Sequence, residues 1–477
     1  MVTARSEAAP GPRAGRREWT GLAVLALPTL LLSVDVSVLY LALPHLSQEL
    51  DASSTQQLWI MDIYGFMLSG LLVTMGTLGD RIGRRKLLMM GAAGFGVMSV
   101  VAAYSPSAEM LIAARAALGI AGSTLMPSTL ALISNMFKSP QQRAVAIAVW
   151  VNCFLVGMAI APLLGGIILE HFWWGAAFLM GVPVMVLLLV TAPVLLPEYK
   201  DPHGGRLELT SVGLSLAAIL PIIYGLKELA RDGWHPLPLA AIGFGAAVGV
   251  VFLRRQRRLT HPLLDLRLFA NRAFSATLGI MLFTAMVMGG MGLLVPLYLQ
   301  LVEGLPPLRA GLWMVPQVVG MMVSAMLAPA FTRRARPAYV MAVGLALSGV
   351  GFLLLTQVDS VGGRGLLVSG FVIAAMGLAP MGVLGTDLVV GSAPPEKAGS
   401  AASASETANE LGVALGVASL GSLVTAIYRR QVSEYVPASL PDAVAESARE
   451  SLVGAVEVAQ SLPAPLGRLA ARARARG

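Results

Sequence analysis

Apolar runs of about 20 residues recur along nearly the whole chain, and at ~1.5 Å rise per residue each is long enough to span a ~30 Å hydrocarbon core. They fall at 20–43, 57–79, 86–104, 108–136, 142–169, 174–196, 209–230, 236–253, 273–302, 308–331, 338–357, 364–391 and 397–428. Only 13% of the 477 residues are charged, about half the share of an ordinary soluble domain. The chain therefore reads as an all-α polytopic membrane protein. A bilayer leaves the backbone few other ways to satisfy its hydrogen bonds.

The net charge of +8 points first to nucleic acid, but its placement argues against that partner. The basic residues lie in short loops between apolar runs, where they set topology. With the N-terminus in the cytoplasm, the inner loops hold Arg81, Arg84, Arg85, Lys86, Lys138, Arg143, Arg254, Arg255, Arg333 and Arg334, among others. The outer loops up to residue 396 hold only Lys227, Arg231, Arg309 and Arg364. That bias places the N-terminus on the cytoplasmic side of a multi-pass protein in the cell membrane. The single cysteine, Cys153, allows no intramolecular disulfide, and the five His form no metal-ligand cluster. No Gly-x4-Gly-Lys-Ser/Thr loop binds a nucleotide, and no His/Asp/Ser set stands at a membrane face. An enzyme is therefore not expected, nor is a cofactor.

Two longer inner segments, 197–208 and 254–272, divide the chain. The expected organisation is a disordered tail at 1–18, a six-helix bundle at 19–196, a two-helix insert at 197–272 and a second bundle at 273–428. Five helices are visible in that second bundle. Residues 429–477 are polar or amphipathic and end in Arg-rich sequence. By parity they lie outside, against the positive-inside rule. Either the protein has thirteen helices or a fourteenth is truncated.

Lone carboxylates within the apolar runs carry the chemistry. Asp35, Asp62, Glu406 and Glu410 all stand where a charge costs several kcal/mol. Such acids serve to carry protons, ions or cationic substrates, or to lock a buried ion pair. Asp35 lies ~12 Å, Asp62 ~8 Å and Arg115 ~10 Å below the outer helix ends. An arginine at that depth needs a partner, and Asp35 is the expected one, leaving Asp62 to meet a cation. Glu406 lies near mid-membrane, with Glu410 one turn further out on the same face. Trp59, Tyr64, Trp150, Phe154, Tyr298 and Trp313 are candidate cavity aromatics, because aromatic faces attract quaternary ammonium groups.

Between the second and third runs stands Gly76-Thr77-Leu78-Gly79-Asp80-Arg81-Ile82-Gly83-Arg84-Arg85-Lys86. This resembles the signature loop of the major facilitator superfamily. The resemblance implies that Gly76, Asp80, Arg81, Gly83, Arg84 and Arg85 form a cytoplasmic gate. The run around Arg115 is similar to the family's second motif, whose buried arginine is implicated in proton transfer. Gly157-Met158-Ala159-Ile160-Ala161-Pro162-Leu163-Leu164-Gly165-Gly166 resembles the antiporter motif of its export branches, with Gly157, Pro162, Gly165 and Gly166 in place and Ala161 where glycine is usual. Asp35 with Ala42-Leu43-Pro44-His45-Leu46, Trp59 to Tyr64, and the stretch around Glu406 resemble the fourteen-helix drug:proton antiporters, the quaternary-ammonium pumps in particular. That branch can carry two adjacent acids where this chain has Ser405 and Glu406. Some members carry another acid where this chain has Gln317, Met321 and Met322.

The resemblance implies a fold of two pseudo-symmetric helix bundles with a two-helix insert, the last helix being absent. It implies a monomeric, proton-driven exporter of amphipathic cations. Asp35, Glu406 and Arg115 would couple protons, while Asp62, Glu410 and the aromatics would bind substrate. A dedicated exporter of one antibiotic or metabolite uses the same scaffold. A non-transporting membrane sensor would not need four intramembrane acids.

Overall fold

The computed structural model describes residues 14–432, apart from 53, 201–207, 233–235, 260–261, 263, 306 and 359–362. In chain order the helices are α1 (Arg16–Glu49), α2 (Ser54–Ile82), α3 (Arg84–Ala103), α4 (Ala108–Met136), α5 (Pro140–His171), α6 (Ala176–Leu179), α7 (Gly181–Leu195), α8 (Leu209–Asp232), α9 (Pro236–Gln256), α10 (Arg272–Leu297), α11 (Pro307–Phe331), α12 (Pro337–Leu355), α13 (Arg364–Pro380), α14 (Thr386–Gly391) and α15 (Ala398–Val432). The pair α6/α7 makes one interrupted crossing, and α13/α14 makes another. The helical units then fall on the thirteen apolar runs. Among the described residues, eleven are long and apolar enough to span a bilayer. The insert helix α8 carries a shorter apolar stretch, Thr210–Leu226, and α15 is more polar but 35 residues long.

Local chemistry sets the ends and breaks. Ser107 caps α4 by accepting from the Met110 amide at 3.3 Å, and Asn271 caps α10 by accepting from the Ala273 amide at 3.0 Å. Proline opens α5 and α12 at positions whose amides have no helical acceptor. Inside helices it does the reverse. Pro296 precedes a π-helical turn at Tyr298–Val302, and Pro380 precedes another at Met381–Gly385. A proline supplies no amide to the ladder, so the backbone rewinds beyond it.

Helices α1 to α7 pack on one another, as do α10 to α15, giving the two bundles. They meet along two seams, α2 and α4 against α15 on one side and α5 against α11 on the other. The insert packs as a hairpin, and α8 lies over the α2/α15 seam. At its end Glu208 pairs with Arg255 of α9, and that hydrogen bond holds the Glu208 carboxyl below its usual range. Small residues allow the tightest crossings. A Cβ on Gly157 would lie 2.5 Å from the Leu30 carbonyl of α1.

One expectation is corrected here. Helix α1 begins inside the tail assigned to residues 1–18. The Gly15 amide donates to Glu18 Oε2 at 2.7 Å, and Arg17 Nη2 donates to the Val194 carbonyl at 2.8 Å. The first bond closes the opening turn and the second holds it against the end of α7. The tail expected at 429–477 lies outside the described residues beyond Val432.

Candidate functional site

Two fully buried arginines organise the first bundle. Arg115 of α4 is 1% exposed. Its Nη1 lies 3.2 Å from Asp35 Oδ2 of α1, the pairing anticipated from their common depth. Its Nε donates to the Ile60 carbonyl at 3.0 Å, and its guanidinium sits 4.8 Å from the Tyr64 ring centre. The charge is thus met by a carboxylate, a carbonyl and a π face, as a desolvated guanidinium requires.

Beside this pair lies a cavity of about 240 Å³, lined by Asp62, Tyr64, Arg115, Phe154, Glu406 and Glu410 with apolar side chains such as Leu39 and Met61. It draws on α1, α2, α4 and α5 of one bundle and on α15 of the other. Glu406 is buried, and among the described residues none hydrogen-bonds its side chain. Glu410 lies within 3.5 Å of the Ser69 hydroxyl of α2, which reaches it across the seam. Three carboxylates, two of them one helical turn apart, therefore face a small apolar chamber.

Only two of the six candidate aromatics, Tyr64 and Phe154, line that chamber. Trp59 is 42% exposed and packs edge-on against Phe66. Trp150 is buried, but its indole donates to Thr129 Oγ1 at 3.1 Å. Tyr298 Oη lies 3.3 Å from Glu303 in the second bundle. Trp313 is 38% exposed on α11. These four stand apart from the cavity because other partners, or the outer surface, take their rings.

At the opposite end, the expected cytoplasmic one, the α2–α3 junction at 80–86, turning at Gly83, closes the α2/α15 seam. Asp80 accepts from Arg84 Nη2 at 2.6 Å and Nε at 2.9 Å. It also accepts from the Gly399 amide at 3.1 Å, and from the Ser400 amide at 3.0 Å and hydroxyl at 2.9 Å. One carboxylate of the first bundle thus caps the N-terminus of α15 in the second, where the helix dipole favours an anion. Arg84, 1% exposed, continues the bridge to the Pro395 carbonyl at 2.9 Å. Gly83 has φ +112°, which a side-chain-bearing residue rarely adopts. Arg81 donates to the Pro262 carbonyl at 3.3 Å, and Arg85 to the Leu196 carbonyl at 3.0 Å.

Gly76 is where α2 crosses α15. A Cβ there would lie 2.6 Å from the Gly399 carbonyl, and one on Gly399 would lie 2.7 Å from the Gly76 carbonyl. Gly76→Val is expected to weaken this crossing by about 1–3 kcal/mol, as overpacking does. Gly213→Ala in α8 meets open space and should be neutral or mildly stabilising. Thermal unfolding of the two purified variants checks this, with the Gly76 variant melting clearly lower. Among the export-motif residues, Gly157 and Gly165 are buried in α5, Gly166 is exposed, and Pro162 lies within that helix.

Two further polar clusters lie outside the sequence candidates. Arg143 Nε lies 2.5 Å from Asp387 Oδ1, bridging α5 and α14 across the second seam. Asp387 is a lone acid in an apolar run, the same signal that singled out Asp35. Glu198 accepts from the Arg85 and Lys86 amides at 3.0 and 3.1 Å, capping α3 from after α7. Nothing local in the sequence marks that long-range cap.

Two helical bundles, a charged cavity between them and closure at one end define a membrane transporter rather than an enzyme. The profile of the Major Facilitator Superfamily matches residues 25–417. The chain belongs to that family. It is 42% identical over 452 residues to the multidrug efflux pump LfrA of Mycolicibacterium smegmatis, covering 95% of this chain and 89% of LfrA. It is 35% identical to the methyl viologen resistance protein SmvA of Salmonella typhimurium, covering 94% and 91%. Among solved structures, the human organic anion transporter MFSD10 superposes with a TM-score of 0.61 at 18% identity, covering 85% of this chain and 93% of that one. That likeness concerns the fold alone.

Proposed function

We propose that this transporter exports amphipathic cations from the cell in exchange for protons. The observation that carries the reading is the cavity gathering Asp62, Glu406 and Glu410 with the Tyr64 and Phe154 rings. Protonating one of these acids removes its attraction for a cation, so proton and substrate compete for one site. The buried Asp35–Arg115 pair beside the cavity gives proton occupancy a route to the helix packing of the first bundle. Alternating access follows as the two bundles rock about their seams. The name of one relative, the methyl viologen resistance protein, supports the substrate class, since methyl viologen is a dication with aromatic faces.

In this reading the N-terminus is cytoplasmic, 19–196 and 273–428 are the moving bundles, and 197–272 is an insert. The protein works as a monomer on the proton gradient, without a cofactor. Proteoliposomes test it. A pH gradient alone should drive ethidium or methyl viologen against its own gradient, and a proton ionophore should collapse that accumulation. Movement unaffected by the ionophore would overturn the coupling.

Asp62→Asn should weaken transport of dications more than of monocations. A second positive charge in a low-dielectric chamber needs a carboxylate beyond the one used for coupling. Competition measurements with methyl viologen and ethidium check this, and equal losses for both would count against the assigned role.

A further inference from the structure

We infer that a recess at the expected cytoplasmic end, between the start of α1, the end of α4 and the segment after α7, binds the phosphate of an anionic phospholipid head group. The recess encloses about 310 Å³ and is lined by Arg17, Glu18, Asn135, Lys138, Leu195 and Tyr199, among others. It is separate from the transport cavity and shares no residue with it.

The pointer to a ligand is Asn135, which is 3% exposed. Its Nδ2 has no hydrogen-bond acceptor among the described residues. A buried amide donor without an acceptor keeps its desolvation penalty uncompensated. Its backbone carbonyl is engaged, accepting from Tyr199 Oη at 3.4 Å. The charges around it favour an anion. Arg17 uses Nη2 on the Val194 carbonyl at 2.8 Å, and its remaining guanidinium donors are available for phosphate oxygens. Lys138 Nζ stands 5.6 Å from the Tyr199 ring centre. Among the residues lining the recess Glu18 is the one opposing charge, and its Oε2 already accepts from the Gly15 amide at 2.7 Å. The first turn of α1 adds the positive end of its dipole.

The surroundings favour a lipid over a soluble anion. Val190 and Val194 of α7 are 68% and 69% exposed on the apolar outer face beside the recess. A head group held by Asn135, Arg17 and Lys138 would lay its acyl chains along that face. A basic recess at the inner interface suits the anionic lipids of that leaflet.

Native mass spectrometry of the full chain in mixed phosphatidylglycerol/phosphatidylcholine nanodiscs tests this. The wild type should retain phosphatidylglycerol in preference to phosphatidylcholine. Arg17→Gln, at an exposed position, should weaken retention by about five-fold, the usual effect of one basic residue near an anionic surface. Asn135→Leu should weaken it at unchanged melting temperature. If inorganic phosphate binds the detergent-solubilised protein and both variants reduce that binding while no lipid is retained, the phosphate site stands and its ligand is soluble. Equal retention of the two lipids, or retention unchanged in both variants without phosphate binding, would overturn the assignment.

Discussion

Glu406→Gln is expected to reduce proton-driven efflux to the leak of protein-free vesicles while the purified variant still binds at least some ligands. Glu406 lies on α15, buried, facing the cavity, and no described residue hydrogen-bonds it. Its charge therefore answers to what enters the chamber and to Glu410 one turn away. Glutamine keeps the shape and polarity but can neither load nor release a proton. The chamber keeps Asp62 and Glu410, so a cation still meets negative charge. Binding by fluorescence quenching and coupled efflux in proteoliposomes separate the two effects. A glutamine variant that still drives accumulation would refute Glu406 as the coupling acid. A variant that loses every ligand would make it a binding residue instead.

Asp80→Ala should have a comparably large effect at the other end of the molecule. Asp80 accepts five hydrogen bonds, three of them from α15 across the seam. Removing it leaves the Arg84 guanidinium buried without its carboxylate and α15 without its cap. Breaking a buried pair by deleting one partner costs about 3–5 kcal/mol. Much of that cost falls on the closed arrangement, because opening the seam lets water reach Arg84. A bias of about 3 kcal/mol shifts a two-state equilibrium by roughly 150-fold. Spin labels at Gln141 and Glu396, exposed on opposite bundles at this end, would report it in a background with Cys153 replaced. The distance distribution should move to longer values in the variant, and efflux should fall. An unchanged distribution would show that Arg143–Asp387 and the glycine crossing suffice for closure.

The fold was legible because hydrocarbon is a severe selector. Runs long enough to cross it, and basic residues confined to the loops between them, leave few alternatives to a helical bundle. The buried ion pair was legible for the same reason: Arg115 and Asp35 stand at one depth, and a charged side chain there must find a partner. The identity of the cavity wall was less so. Trp59 and Tyr64 are five residues apart on one helix, hence about 140° apart in direction. Hydropathy does not say which of the two faces inward. Trp150 and Phe154 share a helical face one turn apart, yet Thr129 of α4 takes the indole while Phe154 reaches the chamber. Such outcomes depend on which neighbour a rotamer meets, and that is fixed by tertiary packing. Asp387 is a different case: it carries the same signal as Asp35, but its partner, Arg143, stands at the inner end of α5 among basic residues whose topological role already accounts for it.

The most direct test of proton and cation exchange at one site is proton release on binding. Purified protein in weakly buffered detergent solution is mixed with saturating methyl viologen, and the pH change is followed with a soluble indicator. The wild type should release protons as it binds the cation, and Glu406→Gln should bind with that release lost or much reduced. Binding by the wild type without proton release, or equal release by both proteins, would contradict the exchange.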